Sequence, residues 1–137
     1  MRYATLKDIV NQAKAAMSTP LGPDVFPVHP GPRDPREPGA YILLTSYAGP
    51  GLNTDDLFDG QGWQIKVVGE QYDYDAAEAV AFEVDRYLRR LYSGWYGGQW
   101  VTHFQRVGGQ PSVLLVDDAD RTHFVCSYVV DVESMAG

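Results

Sequence analysis

The chain has 137 residues, of which 45% are hydrophobic and 21% are charged, and its formal net charge at pH 7 is −7. A chain of this size and composition is typical of one folded domain and is long enough to bury a hydrophobic core, which excludes a wholly disordered protein. The acidic balance disfavours tight binding to nucleic acid or to an anionic membrane surface.

The first predicted element is an amphipathic helix over residues 6–17. Its expected buried face consists of the apolar residues that recur at helical spacing, Leu6, Ile9, Val10, Ala13, Ala16 and Met17. Thr5 is the expected N-cap, with Asp8 placed to reach back to it. The opposite face, which we expect in solvent, carries Lys7, Asn11, Gln12 and Lys14. Neither this segment nor any other has the apolar run of a signal peptide or a membrane-spanning helix, so we expect a soluble cytosolic product.

A proline-rich arm is predicted over residues 18–39. This segment holds seven of the nine prolines of the chain. Because proline has a fixed φ and no amide donor, we expect neither a helix nor an inner strand here. The composition is equally consistent with a plain surface loop.

Two strands are predicted after the arm. Residues 41–47 are apolar on both faces, which is typical of a central strand, and the Gly-Pro-Gly segment 49–51 is expected to end it. Residues 52–62 predict an acidic loop. Residues 63–68 predict a second strand, in which one face is formed by Trp63, Ile65 and Val67.

A long helix is predicted over residues 76–93. Asp75 is the expected N-cap, together with the acid three residues later, and Gly94 is expected just beyond the C-terminus. Asp85 and Arg89 are expected to pair across one turn on the solvent face. The buried face is predicted from an apolar stripe at helical spacing, formed by Ala77, Val80, Ala81, Val84, Leu88 and Leu91.

Three strands complete the predicted fold, over residues 99–107, 112–116 and 122–132. The pair Gly108-Gly109 favours a hairpin turn after the first of them, and a polar turn joins the second to the third. The last strand alternates, with an inner face formed by Phe124, Cys126, Tyr128, Val130 and Val132. The sequence therefore predicts an α+β domain of order α-β-β-α-β-β-β, with helices on one face of the sheet.

Four candidate ligands for a divalent cation lie close together in the sequence, Asp117, Asp118, Asp120 and His123. Their spacing matches no EF-hand loop, and acidic residues are favoured in turns for their own hydrogen bonds. In residues 53–60, which faintly resemble a calcium loop, Leu57 stands where a ligand is required. We expect no bound metal and no cofactor.

The one candidate for nucleophilic catalysis is a pair formed by Cys126 with His103 or His123. Cys126 is predicted to point into the core, where cysteine behaves as a small hydrophobe. The sequence contains no nucleotide-binding loop, zinc-protease motif or nucleophile elbow. We therefore expect a protein that is not an enzyme.

A cluster of aromatic residues among glycines offers a second hypothesis, that of a small binding module. Exposed aromatic rings stack on sugars and nucleobases. The alternative interpretation is core packing where the long helix meets the next strand. The cluster consists of Tyr92, Trp95, Tyr96, Trp100 and Phe104.

Three segments of the chain resemble the tail terminator (minor tail or tail-completion) proteins of long-tailed phages, particularly those of actinobacterial hosts. They are PGAYILLTSYAGPG, GWQIKVVGEQYDYDAAEAVAFEVDRYL and GGQPSVLLVDDADRTHFVCSYVVDVES. The resemblance implies helices packed on a curved antiparallel or mixed sheet, and no catalytic residues. It also implies a homo-hexameric ring that caps the head-proximal end of the tail tube, ends tail growth and docks to the head connector.

The partners expected from this resemblance are further copies of the chain, the tail tube protein and a head completion or connector protein. The expected location is the tail or neck of a virion, after assembly in the host cytoplasm. Another protein of the head–tail neck remains an open alternative. An acidic lumen would let DNA pass without specific binding.

Self-assembly is predicted to use the proline-rich arm and the loop over residues 49–60, because both place apolar residues among polar ones. The candidate interface residues are Val25, Phe26, Leu52, Asp55, Asp56, Leu57 and Phe58.

Overall fold

Nine secondary-structure elements occur in the computed structural model, which describes residues 1–31, 39–52 and 58–133. Two are helices, α1 (Tyr3–Ala15) and α2 (Tyr74–Arg89). The strands are β1 (Val28–Pro30), β2 (Tyr41–Leu52), β3 (Phe58–Val68), β4 (Gly94–Tyr96), β5 (Gln99–Val101), β6 (Gln105–Val116) and β7 (Thr122–Glu133).

The strands form one curled, mixed sheet in the order β1-β2-β3-β7-β5-β4, and β6 also lies beside β7. The pair β1–β2 is parallel, and the other described pairs are antiparallel. The predicted α+β class, with helices on a curved mixed sheet, is confirmed. The predicted element order omits β1 and β4, which span three residues each and are too short to produce a periodic pattern.

The hydrophobic core lies between the two helices and one face of the sheet. The alternation predicted for β3 and β7 is confirmed, because the inner-face residues are buried in one cluster: Trp63, Ile65, Val67, Phe124, Cys126, Tyr128, Val130 and Val132. A smaller cluster on the other face consists of Tyr41, Leu43 and Val68. This second cluster explains why residues 41–47 are apolar on both faces.

The long hairpin of β2 and β3 differs from its prediction. The segment 49–51 does not end β2, because the strand continues to Leu52 with a register shift between Tyr47 and Gly51. The predicted loop over 52–62 is also wrong in its second half, where β3 already pairs with β7 from Phe58 onward. Residues 53–57 lie outside the described residues.

Helix α1 begins before its predicted cap. Arg2 is the N-cap and its side chain makes no capping hydrogen bond, whereas Thr5 lies inside the helix and is buried. Its hydroxyl occupies the space beside Gly97, which has a φ of +57°, so a Cβ at that glycine would clash with Thr5. The helix ends at Ala15, and Ala16, predicted in the buried face, is exposed.

Lys14 is buried, although its position in the helix predicts solvent exposure. Its side chain is 0% exposed. The Nζ atom donates to the backbone oxygens of Val25 and Phe26, both at 3.0 Å, and of Pro23 at 3.4 Å. The proline-rich segment therefore folds back over the end of α1, and burial there lowers the pKa of Lys14.

Part of the predicted proline-rich arm therefore belongs to the sheet and the core. Its residues 28–30 form β1, which adds a parallel edge to β2, with Val28 opposite Ile42. Phe26, which has a φ of +54°, is buried in the main core. Because prolines lack an amide donor, β1 is confined to the edge of the sheet, and the prediction that this segment forms no inner strand allows such an edge strand.

Replacing Lys14 with methionine should lower the free energy of unfolding by about 2 kcal/mol, because three backbone oxygens then lose their donor. The methionine keeps most of the apolar volume of the side chain. Lys7→Met, on the exposed face of the same helix, is the control and should change stability by less than about 0.5 kcal/mol. Urea unfolding followed by circular dichroism measures both, and equal midpoints for the two variants would contradict the role of Lys14.

Helix α2 begins and ends earlier than predicted. Its N-cap is Asp73, whose carboxylate accepts from the Ala76 amide at 3.3 Å, so the predicted cap at Asp75 is wrong. The helix ends at Arg89, and Gly94 begins β4 rather than closing the helix. The predicted stripe is buried at Ala77, Val80, Ala81, Val84 and Leu88, while Leu91 follows the end of the helix.

The predicted hairpin turn at Gly108-Gly109 is wrong. Both glycines lie within β6, which pairs with β7 on either side of a register shift between Val107 and Ser112. The preceding hairpin is formed instead by β4 and β5 around Gly97 and Gly98, whose φ values of +57° and +80° suit glycine. The polar turn predicted over residues 117–121 is found between β6 and β7.

Candidate functional site

Strand β6 forms an apolar edge of the sheet. Among the described residues its only strand partner is β7, so its other side has no strand neighbour. Five of its apolar side chains are between 44% and 58% exposed, namely Val107, Val113, Leu114, Leu115 and Val116. We call these five residues the β6 patch.

Both faces of the sheet contribute to the β6 patch. Val113 lies opposite Phe124, a core residue, and Leu115 lies opposite His123 on the other face. β6 contains no acidic residue and a single basic one, Arg106. Edge strands of soluble proteins are usually protected by charges or by very short length. A twelve-residue edge with exposed valines and leucines is therefore a candidate assembly surface.

A buried carboxylate fixes β6 to the rest of the fold. Asp85, predicted on the solvent face of α2, is 1% exposed, although its predicted pair with Arg89 is present at 2.9 Å. The same carboxylate accepts from Tyr128 Oη at 2.7 Å and from Arg106 Nη1 at 3.3 Å. Asp85 therefore joins α2, β6 and β7.

The chemistry of Cys126 does not fit a nucleophile. Its thiol points at Asp85 Oδ1, 3.9 Å away, and burial raises its pKa, which favours the neutral thiol. A second contact, at 4.0 Å, is made with the backbone oxygen of Gly109. These contacts match the buried, hydrophobic role that its position in β7 predicts.

The candidate metal ligands form a turn held by its own hydrogen bonds. Asp117 accepts from the amides of Ala119 and Arg121, at 2.9 and 3.0 Å, and its Oδ2 lies 2.9 Å from His123 Nε2. Across the described part of the chain, no three histidine, cysteine, aspartate or glutamate side chains are grouped as a metal site. Burial alone would raise the pKa of Asp117, but these hydrogen bonds outweigh it and lower the pKa to about 2.

This turn should make stability depend on acidity. Because the pKa of Asp117 falls from 3.8 to about 2 on folding, its stabilisation is complete above 3.8 and is lost as the pH falls towards 2. In the Asp117→Asn variant, the free energy of unfolding should therefore change less with pH between 3.8 and about 2 than it does in the parent protein. Denaturant titration at several pH values measures this. Asp118→Asn removes an exposed carboxylate from the same turn as a control. A parent-like slope in the Asp117 variant would contradict the assignment.

The aromatic cluster divides into exposed and buried members. Tyr92 is 87% exposed and Trp95 is 64% exposed, and the Trp95 ring meets the Trp100 ring edge-on at 5.7 Å. Phe104 is buried in the core and packs against Tyr128. Trp95 and Trp100 lie on the β4–β5 hairpin, which is fixed to β7 at one register pair, Val101 with Val132, whereas Tyr92 precedes β4.

The structure places the predicted interface residues in different settings. Val25 is 48% exposed, whereas Phe26 is buried in the core and is not an exposed tip. Leu52 and Phe58 belong to β2 and β3, at the far end of the hairpin. Asp55, Asp56 and Leu57 lie outside the described residues. The interface role of this set stays a prediction.

The same fold occurs in a chain of a gene transfer agent virion. That chain, from the virion of a native gene transfer agent particle, is 17% identical and superposes with a TM-score of 0.66, covering 96% of this chain and 99% of its own length. A second solved structure is 21% identical, with a TM-score of 0.59 and coverage of 95% and 92% respectively. No protein-family model and no curated protein sequence matches this chain. The likeness establishes the fold along almost the whole chain.

No helix in the described ranges is long and apolar enough to cross a membrane.

The β6 patch is the feature that the sequence-based prediction missed. The signal for it is present, since residues 112–116 are apolar at every position after the serine. Strand order decides whether such a run is central or at an edge, and that order depends on contacts distant in sequence.

Proposed function

We propose that the protein is a structural component of a phage-like virion, in which it acts by assembling with copies of itself. The observation that carries the proposal is the fold, shared end to end with a chain of a gene transfer agent virion. The apolar β6 patch supports it, because a soluble monomer gains nothing from such an edge. Cys126 and Asp117, two of the residues considered for catalysis or metal binding, take part in packing and turn contacts.

The specific role proposed is that of a tail terminator. In this role six copies form a ring on the head-proximal end of the tail tube, stop tail growth and bind the head connector. A closed ring repeats one heterologous contact around an axis, which covers the same surface on every copy. Six copies would carry −42 formal charges, six times −7, and an acidic lumen would allow DNA to slide past. Another protein of the head–tail neck is the nearest alternative.

Electron microscopy of the particle that contains this protein tests the proposal. We expect six copies in a ring between the tail tube and the head connector. Density for the chain elsewhere in the tail would support a structural role but contradict the terminator assignment. Absence of the protein from purified particles would contradict both.

The exposed Trp95 and Tyr92 favour one other candidate, an aromatic binding platform for sugars or nucleobases. This candidate predicts that tryptophan fluorescence responds to short oligosaccharides or oligonucleotides, and that Trp95→Ala abolishes the response. The fluorescence of Trp63, which is buried in the core, should be the same in the Trp95→Ala variant as in the parent protein. A parent protein without any fluorescence response would eliminate the platform.

A further inference from the structure

Among the described residues, two long strands, β6 and β2, have an edge that no other strand covers along its full length, and β3 and β7 lie between them. One is β6, with the β6 patch. The other is β2, whose partner β1 covers only residues 42–44 among the described residues. Residues 45–52 of β2 extend beyond that partner. The described residues therefore present two different strand edges, on opposite sides of the β3–β7 pair.

We propose that β6 of one copy pairs with the outer edge of β2 of the next copy, so that the sheets of neighbouring subunits become continuous. This inference rests on the proposed function, since it names the contact by which the copies assemble. The partner is a second copy of this chain rather than an unrelated protein, because the chain itself carries the complementary edge.

Charge supports pairing between these two strands. The twelve residues of β2 include no charged side chain, and β6 has only Arg106, which is bound to Asp85. A chain of net charge −7 repels its own copies over most of its surface. Joining β2 to β6 brings together two long strands that carry no acidic group, so repulsion between the copies is small there.

Pairing of strands also removes the exposure of the β6 patch. The backbone groups on the open side of β6 gain hydrogen bonds, as in β-strand addition to a sheet edge. The exposed valines and leucines on both faces then contact side chains of the incoming strand. Each of β2 and β6 has a proline within its own register shift, at Pro50 and Pro111, so the missing amides fall where the ladders are already interrupted.

The geometry requires a heterologous contact. Because β6 and β2 are different surfaces, each subunit uses one of them towards each neighbour, and the contact repeats until a ring closes. The same arrangement places the ends of β2 and β3, at Leu52 and Phe58, next to the adjacent copy.

The test is a charge placed in the β6 patch. Val113→Lys, at an exposed position, should weaken self-association about tenfold or more in sedimentation velocity across a concentration series. Ala79→Lys adds the same charge to the exposed face of α2 and should associate like the parent. Circular dichroism melting confirms that each variant is folded, and Val116→Lys, at a more exposed position, replaces Val113→Lys if that variant does not fold.

Cross-linking identifies which strand receives β6. Ser46→Cys and Ser112→Cys place thiols on the two edges, at exposed positions, while the native Cys126 is buried. The double variant treated with a bismaleimide should give ladders beyond the dimer. Ser112→Cys alone should give no dimer. A dimer from that single variant would indicate two-fold β6–β6 pairing and would overturn the heterologous contact.

Other outcomes separate this inference from the proposed function. If the parent forms rings and Val113→Lys forms them equally well, the β6 contact is wrong and the ring stands. If Val25→Lys instead abolishes the ring, the arm is the contact. A parent that remains monomeric at every concentration overturns the β6 contact, whereas the terminator role is decided by the particle images.

Discussion

Leu88→Asp should leave the protein unfolded at room temperature. Leu88 is fully buried and is the last buried residue of the stripe by which α2 packs on the sheet. An unpaired carboxylate there loses its hydration, and the lost leucine contacts add to this, for a total of about 5 kcal/mol or more. That amount is comparable with the whole stability of a typical domain. Val84→Asp, at the neighbouring position of the stripe, should have the same result.

The control for this substitution is Ala79→Asp, which places the same charge on the exposed face of the same helix. Its effect should stay below about 1 kcal/mol. Far-ultraviolet circular dichroism and the dispersion of proton NMR signals distinguish the two outcomes. A cooperative melting transition in Leu88→Asp at the temperature of the parent would show that the phase of α2 is misassigned.

Asp85→Ala should lower the free energy of unfolding by about 3 kcal/mol, because it removes one partner from a buried charge cluster. Three donors, Tyr128 Oη, Arg89 Nε and Arg106 Nη1, converge on this carboxylate in the folded protein. Without it the buried tyrosine hydroxyl loses its acceptor, and the two guanidinium groups repel each other. Solvent contact of the two arginines limits the loss, since they are 43% and 27% exposed.

Asp85→Asn should be milder than Asp85→Ala, since the amide oxygen can still accept from Tyr128. Asp75→Ala, in the exposed first turn of α2, is the matched control and should cost about 0.5 kcal/mol through the helix dipole. Urea unfolding gives all three values. If Asp85→Ala and Asp75→Ala have equal midpoints, the cluster contributes no stability.

Asp85 and Lys14 also show where prediction from the sequence reaches its limit. Helical periodicity predicts most of the apolar stripes of α1 and α2, because buried apolar residues recur at a fixed spacing, and within these stripes it fails only at the C-terminal ends, at Ala16, Met17 and Leu91. It assigned Asp85 and Lys14 to solvent by the same rule, and both are buried. Their partners, Tyr128 and the backbone of residues 23–26, are brought in by tertiary contacts that leave no periodic trace.

The strands show the same division between features that local sequence patterns predict and features that tertiary contacts decide. The alternation in β7 was read correctly because each inner residue meets the core. The hairpin turn at Gly108-Gly109 was predicted from local turn chemistry, yet the pairing of β6 with β7 carries the strand through both glycines. The candidate surface was missed for a related reason. Whether a strand lies at an edge depends on the positions of the other strands. β6 lies at an edge because it pairs with one side of β7, and β3 pairs with the other side.

The position of β7 in the sheet has a consequence for how the chain is made. β7 lies between β3 and β6 and pairs with both along most of its length, yet it is the last of the described strands to leave the ribosome. Until then β3 lacks its neighbour on one side, and the inner faces of both helices have only part of a sheet to cover them. Folding should therefore wait until β7 has been synthesised, and it should be slow because the pairing of distant segments is slow. A premature stop before Thr122 would leave a fragment for chaperones and proteases rather than a smaller domain.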